Sequence, residues 1–148
     1  MFQGTSELNL DAKGRLVIPT RHRDALAAPG SGELVLTAHP HKCLILYPAP
    51  SWTPIRDKIL AAPSFDVRAA AVKRLLVGMA QEVQMDAAGR LLIAPELRKV
   101  AALDKVVYMV GQGTHFEIWS EDGWNRQQDV MFAMEGDQLP AGMETLTL

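Results

Sequence analysis

Asp11-Ala-Lys-Gly-Arg-Leu-Val-Ile18 occurs again as Asp86-Ala-Ala-Gly-Arg-Leu-Leu-Ile93. The two octapeptides lie 75 residues apart and agree at six positions, and the same offset pairs Arg23 with Arg98. Further along, Leu34-Val35-Leu36 matches Val106-Val107-Tyr108, and Leu44-Ile45-Leu46-Tyr47 matches Phe116-Glu117-Ile118-Trp119. These later pairs, with Trp52 and Trp124, share an offset of 72, so the first copy carries three extra residues before its third strand. Pro29-Gly30-Ser31-Gly32 has the composition of a loop that would hold them. Two collinear matched blocks separated by one small gap mark a tandem duplication.

Each copy has the same readable plan. A short strand reaches Asp11 or Asp86, and a tight turn through Gly14 or Gly89 leads into a second strand, Arg-Leu-x-Ile. Asp at the first turn position and Gly at the fourth suit a type I turn, with the glycine free to take a positive φ. A short helix follows, with Thr20 as the expected N-cap in one copy and Pro95 as the expected first helical residue in the other. Two strands joined by a hairpin then close the unit, turning at His39–Lys42 and Gly111–Thr114. Each copy ends in a helix expected to begin near Ser51 or Ser120. Between the copies, Val72, Leu75, Leu76 and Met79 keep i, i+3, i+4, i+7 spacing, which predicts an amphipathic helix within 65–79. Beyond about Glu135 no periodicity remains, and a loose tail is expected. The fold class is mainly β with short helices. The expected organisation is a first unit at 5–52, a helical bridge at 53–79, a second unit at 80–123, and a C-terminal helix and tail at 124–148.

Composition is that of an ordinary globular chain: 148 residues, 48% hydrophobic and 22% charged. Two halves this short have thin cores, so packing of one on the other, or oligomerisation, is expected to add stability. A single cysteine, Cys43, cannot form an internal disulfide and points away from an oxidising compartment. Met1-Phe2-Gln3-Gly4 does not open a signal peptide, and no apolar run approaches about 18 residues, so a cytoplasmic location is expected. The net charge of −2 hides an asymmetry. Residues 1–75 hold 10 Lys and Arg against 6 Asp and Glu, a net of +4; residues 76–148 hold 5 against 11, a net of −6. The first half is therefore the one suited to an anionic partner.

The turn is the first place where chemistry can reside. Asp11, Asp86, Gly14 and Gly89 read as hairpin architecture, the aspartates capping backbone N–H groups, and Arg90 as part of the same structural turn. Arg15 reads differently, because Lys13 stands at its turn tip and Arg21, His22 and Arg23 follow at the start of the next helix. Such cations neutralise phosphates, and an arginine can lie bidentate on a guanine edge. In the second copy Ala88, Glu96 and Leu97 replace Lys13, Arg21 and His22. Spacing alone leaves nucleic-acid binding open beside a merely solvated surface. His39-Pro-His41-Lys-Cys43 resembles a metal tract but lacks a visible fourth ligand, so no metal site is assigned. Gly111-x-Gly113 lacks the third glycine of a dinucleotide loop, and Cys43 has no arguable activating surroundings. Trp52, Trp119 and Trp124 read as core or interface aromatics. Neither catalysis nor a cofactor is expected.

Taken together these residues resemble the MraZ family. The likeness rests on Met1-Phe2-x-Gly4, on Asn9-Leu10-Asp11-x-Lys13-Gly14-Arg15-Leu16-x-Ile18-Pro19-x-Arg21-x-Arg23, on Leu75-Leu76-x-Gly78 and on Gln84-Met85-Asp86-x-Ala88-Gly89-Arg90-Leu91-Leu92-Ile93. It covers about residues 1–130. The resemblance implies a pseudo-twofold double-split, swapped-hairpin β-barrel of the kind found in AbrB-like regulators, with both units in one chain and chains assembled into a ring. It implies a bacterial transcription factor that represses the division and cell-wall gene cluster, its own gene included, by binding short direct repeats in double-stranded promoter DNA. Arg15 and Lys13 match the positions expected at DNA, and Arg21 and Arg23 match as phosphate contacts. A nucleoid-associated location follows from that role.

A ring would repeat the basic first-half face along one rim, and weak single heads would gain about 10²–10⁴ in avidity. Two other classes stand beside this one. An AbrB-fold antitoxin-like protein would normally carry one unit and a long tail, and a structural or scaffolding oligomer leaves the charge asymmetry without a purpose.

Overall fold

The computed structural model describes residues 1–63, 65–133 and 139–147. The first copy contributes β1 (Thr5–Asn9), β2 (Arg15–Val17), α1 (Thr20–Ala27), β3 (Leu34–Ala38), β4 (Leu44–Pro48) and α2 (Ala49–Ala61). A bridging helix α3 (Val67–Leu76) follows, then β5 (Gln81–Val83), β6 (Arg90–Leu92), α4 (Pro95–Val100), β7 (Val106–Gly111), β8 (Phe116–Ser120) and α5 (Glu121–Phe132). The chain is mainly antiparallel β with short helices.

Six strands form one sheet in the order β1-β7-β8-β4-β3-β5, and β2 and β6 form a separate two-stranded ribbon. The first strand of each copy leaves its own unit. β1 pairs with β7 of the second hairpin, and β5 pairs with β3 of the first. The two hairpins meet through β4 and β8, with Leu44 opposite Ile118 and Leu46 opposite Phe116. Exchanging the copies reverses the strand order onto itself, so the sheet has an approximate twofold between β4 and β8. The barrel is not closed: β1 and β5 are the two edges of an open sheet.

Burial explains the sequence pattern. Leu16 and Leu91 face each other in the ribbon and, with Ile18 and Ile93, are completely buried against Leu36, Leu46, Met109 and Phe116 of the sheet. Each such side chain contributes about 1.5–3 kcal/mol relative to exposure. β3 and β4 are buried at every position, and the buried Thr37 hydroxyl donates to the Leu76 carbonyl of α3 at 2.7 Å. Their second face holds Val35, Ile45 and Tyr47 against Trp52 of α2, with Leu76 of α3 alongside. A third cluster joins Cys43, Val110 and Trp119, with Tyr108 and Trp124 packed against it.

Several local expectations are met and others are corrected. Gly14 and Gly89 take φ of 83° and 76°, Pro95 opens α4, and Ser120 caps α5 by accepting from the Gly123 N–H at 2.9 Å. Thr20 is not a cap. It is the first residue of α1, and Pro19, with extended backbone and no side-chain bond, occupies the N-cap. Ser51 is likewise inside α2, which starts at Ala49 behind Pro48. In both places proline's fixed φ starts the helix earlier than the polar residue suggests. The bridge is a true helix whose N-cap is Asp66, accepting from the Arg68 and Ala69 N–H groups. Its Leu75 and Met79 join the main core and Leu76 the second cluster, whereas Val72 is 39% exposed. The expected start of a loose tail falls on residues 134–138, outside the described residues; residues 139–147 form turns and are exposed. Among the described residues no helix is long and apolar enough to cross a membrane.

Candidate nucleic-acid interface

The two turns are built alike. Asp11 Oδ1 accepts from the backbone N–H of Lys13 and of Arg15, both at 2.9 Å, and Oδ2 accepts from Arg15 Nε at 2.9 Å. Asp86 repeats this with Ala88 N–H at 3.0 Å, Arg90 N–H at 2.8 Å and Arg90 Nε at 2.7 Å. The hydrogen bond from the Arg15 or Arg90 backbone is the main reason each carboxyl titrates below the usual range; side-chain bonds and charge from the same arginine add to it. In a pair this exposed, solvent screens most of the attraction. Its larger effect is to hold the arginine across the turn with only Nε engaged. Among the described residues the terminal guanidinium N–H groups of Arg15 make no bond, so they are available to a planar acceptor such as a base edge or a phosphate.

The ribbon presents these arginines together. Arg15 is registered opposite Leu92, and Val17 opposite Arg90. Val17 and Leu92 are 51% and 56% exposed, large fractions for apolar side chains on a strand whose other face is fully buried. The outward face therefore alternates guanidinium and aliphatic groups about the pseudo-twofold. Such a two-stranded ribbon is narrow enough for a major groove, where arginine reads guanine and apolar groups contact the thymine methyl. Val17 and Leu92 were missed in the sequence because an alternating pattern over three residues does not say which face is covered.

The four expected DNA-facing residues do not form one cluster. Lys13 stands at the turn tip, exposed, and among the described residues its ammonium has no partner. Arg15 lies beside it. Arg21 reaches back to β1, donating from Nη2 to Ser6 Oγ at 2.6 Å. Arg23 belongs to the other turn: its Nε donates to the Ile18 carbonyl at 2.8 Å, and its side chain fills the space over Gly89. Arg98 does the same reciprocally, donating to the Ile93 carbonyl at 3.0 Å and covering Gly14. The backbone completes this cross-lock, with Ile18 N–H on the Gly89 carbonyl at 2.9 Å and Ile93 N–H on the Gly14 carbonyl at 2.8 Å. The retention of an arginine in both copies is the sequence signal for this shared packing role.

His22 is a core residue, not a surface cation. It is 9% exposed, with Phe116 at 4.8 Å and Phe2 at 6.5 Å between ring centroids. Burial holds its pKa below the usual range, and the neighbouring Arg21 charge lowers it further. In the hairpin tips, the His39 and His41 rings lie 4.7 Å apart and His115 stacks on Tyr47 at 4.5 Å. Among the described residues no group of three or more His, Cys, Asp or Glu is placed to hold a metal. Burial pushes the Cys43 thiol up to about 12, leaving it almost without thiolate at neutral pH.

Comparison with known proteins identifies relatives of the whole chain. The profile of the family described as "MraZ protein, putative antitoxin-like" matches the chain twice, over residues 1–75 and 76–141. The chain is similar to a protein of Dechloromonas aromatica (62% identity), one of Aromatoleum aromaticum (61%) and one of Azoarcus sp. (57%), each over the full length of both chains. All three carry the name "Transcriptional regulator MraZ".

Proposed function

This chain belongs to the MraZ family, and from that premise we propose that it is a DNA-binding regulator of transcription and has no enzymatic role. In this reading it represses the division and cell-wall gene cluster, including its own promoter, by binding short direct repeats in double-stranded DNA. It acts in the cytoplasm at the nucleoid. The units at 5–52 and 80–123 are AbrB-like halves that exchange their first strands, and that exchange is the support for the assignment.

The observation that carries the reading is the outward ribbon face. There, among the described residues, Arg15 holds unbonded guanidinium N–H groups beside the unpaired Lys13, on the two-stranded ribbon. The equivalent turn of the second copy has Ala88 at the tip. The first turn is therefore the DNA-facing head, and the second completes the fold. One head offers few contacts, so several copies acting together in a ring supply the affinity. Direct repeats suit a rotational array of identical heads.

Gel shifts test this with DNA from upstream of the chain's own gene against a shuffled duplex of equal length and composition. Preference for the upstream DNA that persists as salt is raised supports the reading. Equal binding to both duplexes contradicts it, and sedimentation as a monomer contradicts the ring.

A further inference from the structure

We propose that Lys99 and Lys105, from the second copy, form a phosphate-binding cleft for the DNA backbone beside the first copy's turn. The inference rests on the DNA-binding reading above and adds to it residues that the charge balance of the second half conceals.

The strand exchange brings these lysines there. β1 runs along β7, and the Leu10 N–H donates to the Lys105 carbonyl at 2.7 Å, immediately before the turn begins at Asp11. A cleft of about 710 Å³ opens at this junction, with Asp11 and Ala12 on one side and Arg98, Lys99, Asp104 and Lys105 on the other. Arg98 is committed to Ile93 and Gly14, and Asp11 to Arg15. Among the described residues, Lys99 and Lys105 form no ion pair, although Asp104 also lines the cleft and Glu121 and Asp122 lie beyond Lys105. Two second-copy lysines thus share this cleft with Asp11 and Ala12, the start of the turn that carries Lys13.

The pseudo-twofold supplies an internal control. The same offsets that align the copies place Asp24 where Lys99 stands, and Glu33 where Lys105 stands. The two lysines that line the cleft beside the first turn therefore have carboxylates as their sequence counterparts in the other copy. The matching hollow is also smaller, about 240 Å³, and its lining of Ala27, Ser31, Gly32, Gln84 and Met85 carries no charge. Ser31 and Gly32 of the first copy's longer loop line it, with Gln84 Nε2 donating to the Ser31 carbonyl at 3.4 Å. Lysines line the hollow beside the first turn and no charged residue lines the one beside the second, which makes the first the better seat for a phosphodiester chain.

The test is the salt dependence of DNA binding by the full chain carrying Lys99→Ala with Lys105→Ala. Lys58→Ala with Arg126→Ala, on α2 and α5, controls for net charge. Removing two phosphate contacts should lower the slope of log affinity against log salt by about 2. Between 50 and 200 mM salt the wild type should then lose about tenfold more affinity than the cleft variant. Preference for upstream over shuffled DNA should be unchanged, because phosphate contacts carry little sequence information. A slope equal to that of the wild type or of the control variant overturns the cleft. Loss of preference in the wild type itself overturns only the regulator reading, since the slope is measurable on any duplex. Calorimetry with sodium pyrophosphate covers a free anion as occupant: binding abolished by the cleft variant, with the DNA slope unaltered, overturns the assignment to the DNA backbone.

Discussion

Arg98 of the second copy lies over Gly14 in the turn of the first, where a Cβ on the glycine would stand 2.7 Å from the Arg98 guanidinium carbon. Arg98 cannot easily retreat, because its Nε is bonded to the Ile93 carbonyl. Arg23 and Gly89 repeat the arrangement in the opposite sense. The turns are thus the points where the two copies grip each other, and the residues that face outward from them sit on a cross-braced base.

Gly14→Ala should destabilise the chain by about 1–3 kcal/mol in urea denaturation, through a positive φ and a collision with Arg98. In a background of Arg98→Ala the same substitution should cost less, because the collision term is gone. Additive costs in that double-mutant cycle would show that residues 14 and 98 are not coupled.

Asp11→Asn and Asp86→Asn should each lower stability at neutral pH. Both carboxyls titrate below their ordinary value of 3.8. Their contribution is therefore present above that value and lost as pH falls through the lower folded pKa. The gap between wild type and variant should narrow in denaturation curves taken progressively below about pH 4.

His22 has the opposite chemistry and the same direction of pH dependence. Its folded pKa lies below 6.5, so the unfolded chain binds the proton more readily and stability falls as pH drops below that value. His22→Leu, which installs the residue found at the matching Leu97, should flatten the stability profile between about pH 7 and 5. Some slope should remain, because burial also lowers His39 and His115. An unaltered profile would place the proton elsewhere.

Cys43 is completely buried and its thiol is pushed up to about 12. The folded chain should resist a thiol-specific chromogenic disulfide at neutral pH, and react at once in denaturant. Rapid modification of the native protein would contradict that burial.

Much of this molecule is legible in the sequence because the duplication compares the chain with itself. The turns, their glycines, the strand pairs and the bridging helix follow from matched residues and from period. What a local pattern cannot say is which strand a strand will pair with: nothing in Thr5–Asn9 names β7 as its neighbour. The position of Lys99 and Lys105 beside Asp11 depends on that exchange, and that of Arg23 over Gly89 on the pairing of β2 with β6. The helix starts at Thr20 and Ala49 were displaced by prolines whose fixed φ outweighs a polar cap. Summing charge by halves also misled, because exchanged strands bring second-half lysines to the first-half turn.

In the proposed function one motif does two jobs, Arg15 meeting DNA and Arg90 only completing the fold. Gel shifts with upstream DNA, run on Arg15→Ala and Arg90→Ala with sedimentation of each, test it most directly. Each variant loses the same Nε bond to its aspartate, so any shared structural cost cancels in the comparison. Arg15→Ala should abolish the shift with its sedimentation unchanged, while Arg90→Ala should keep most of its affinity. Equal loss in the two variants would contradict it.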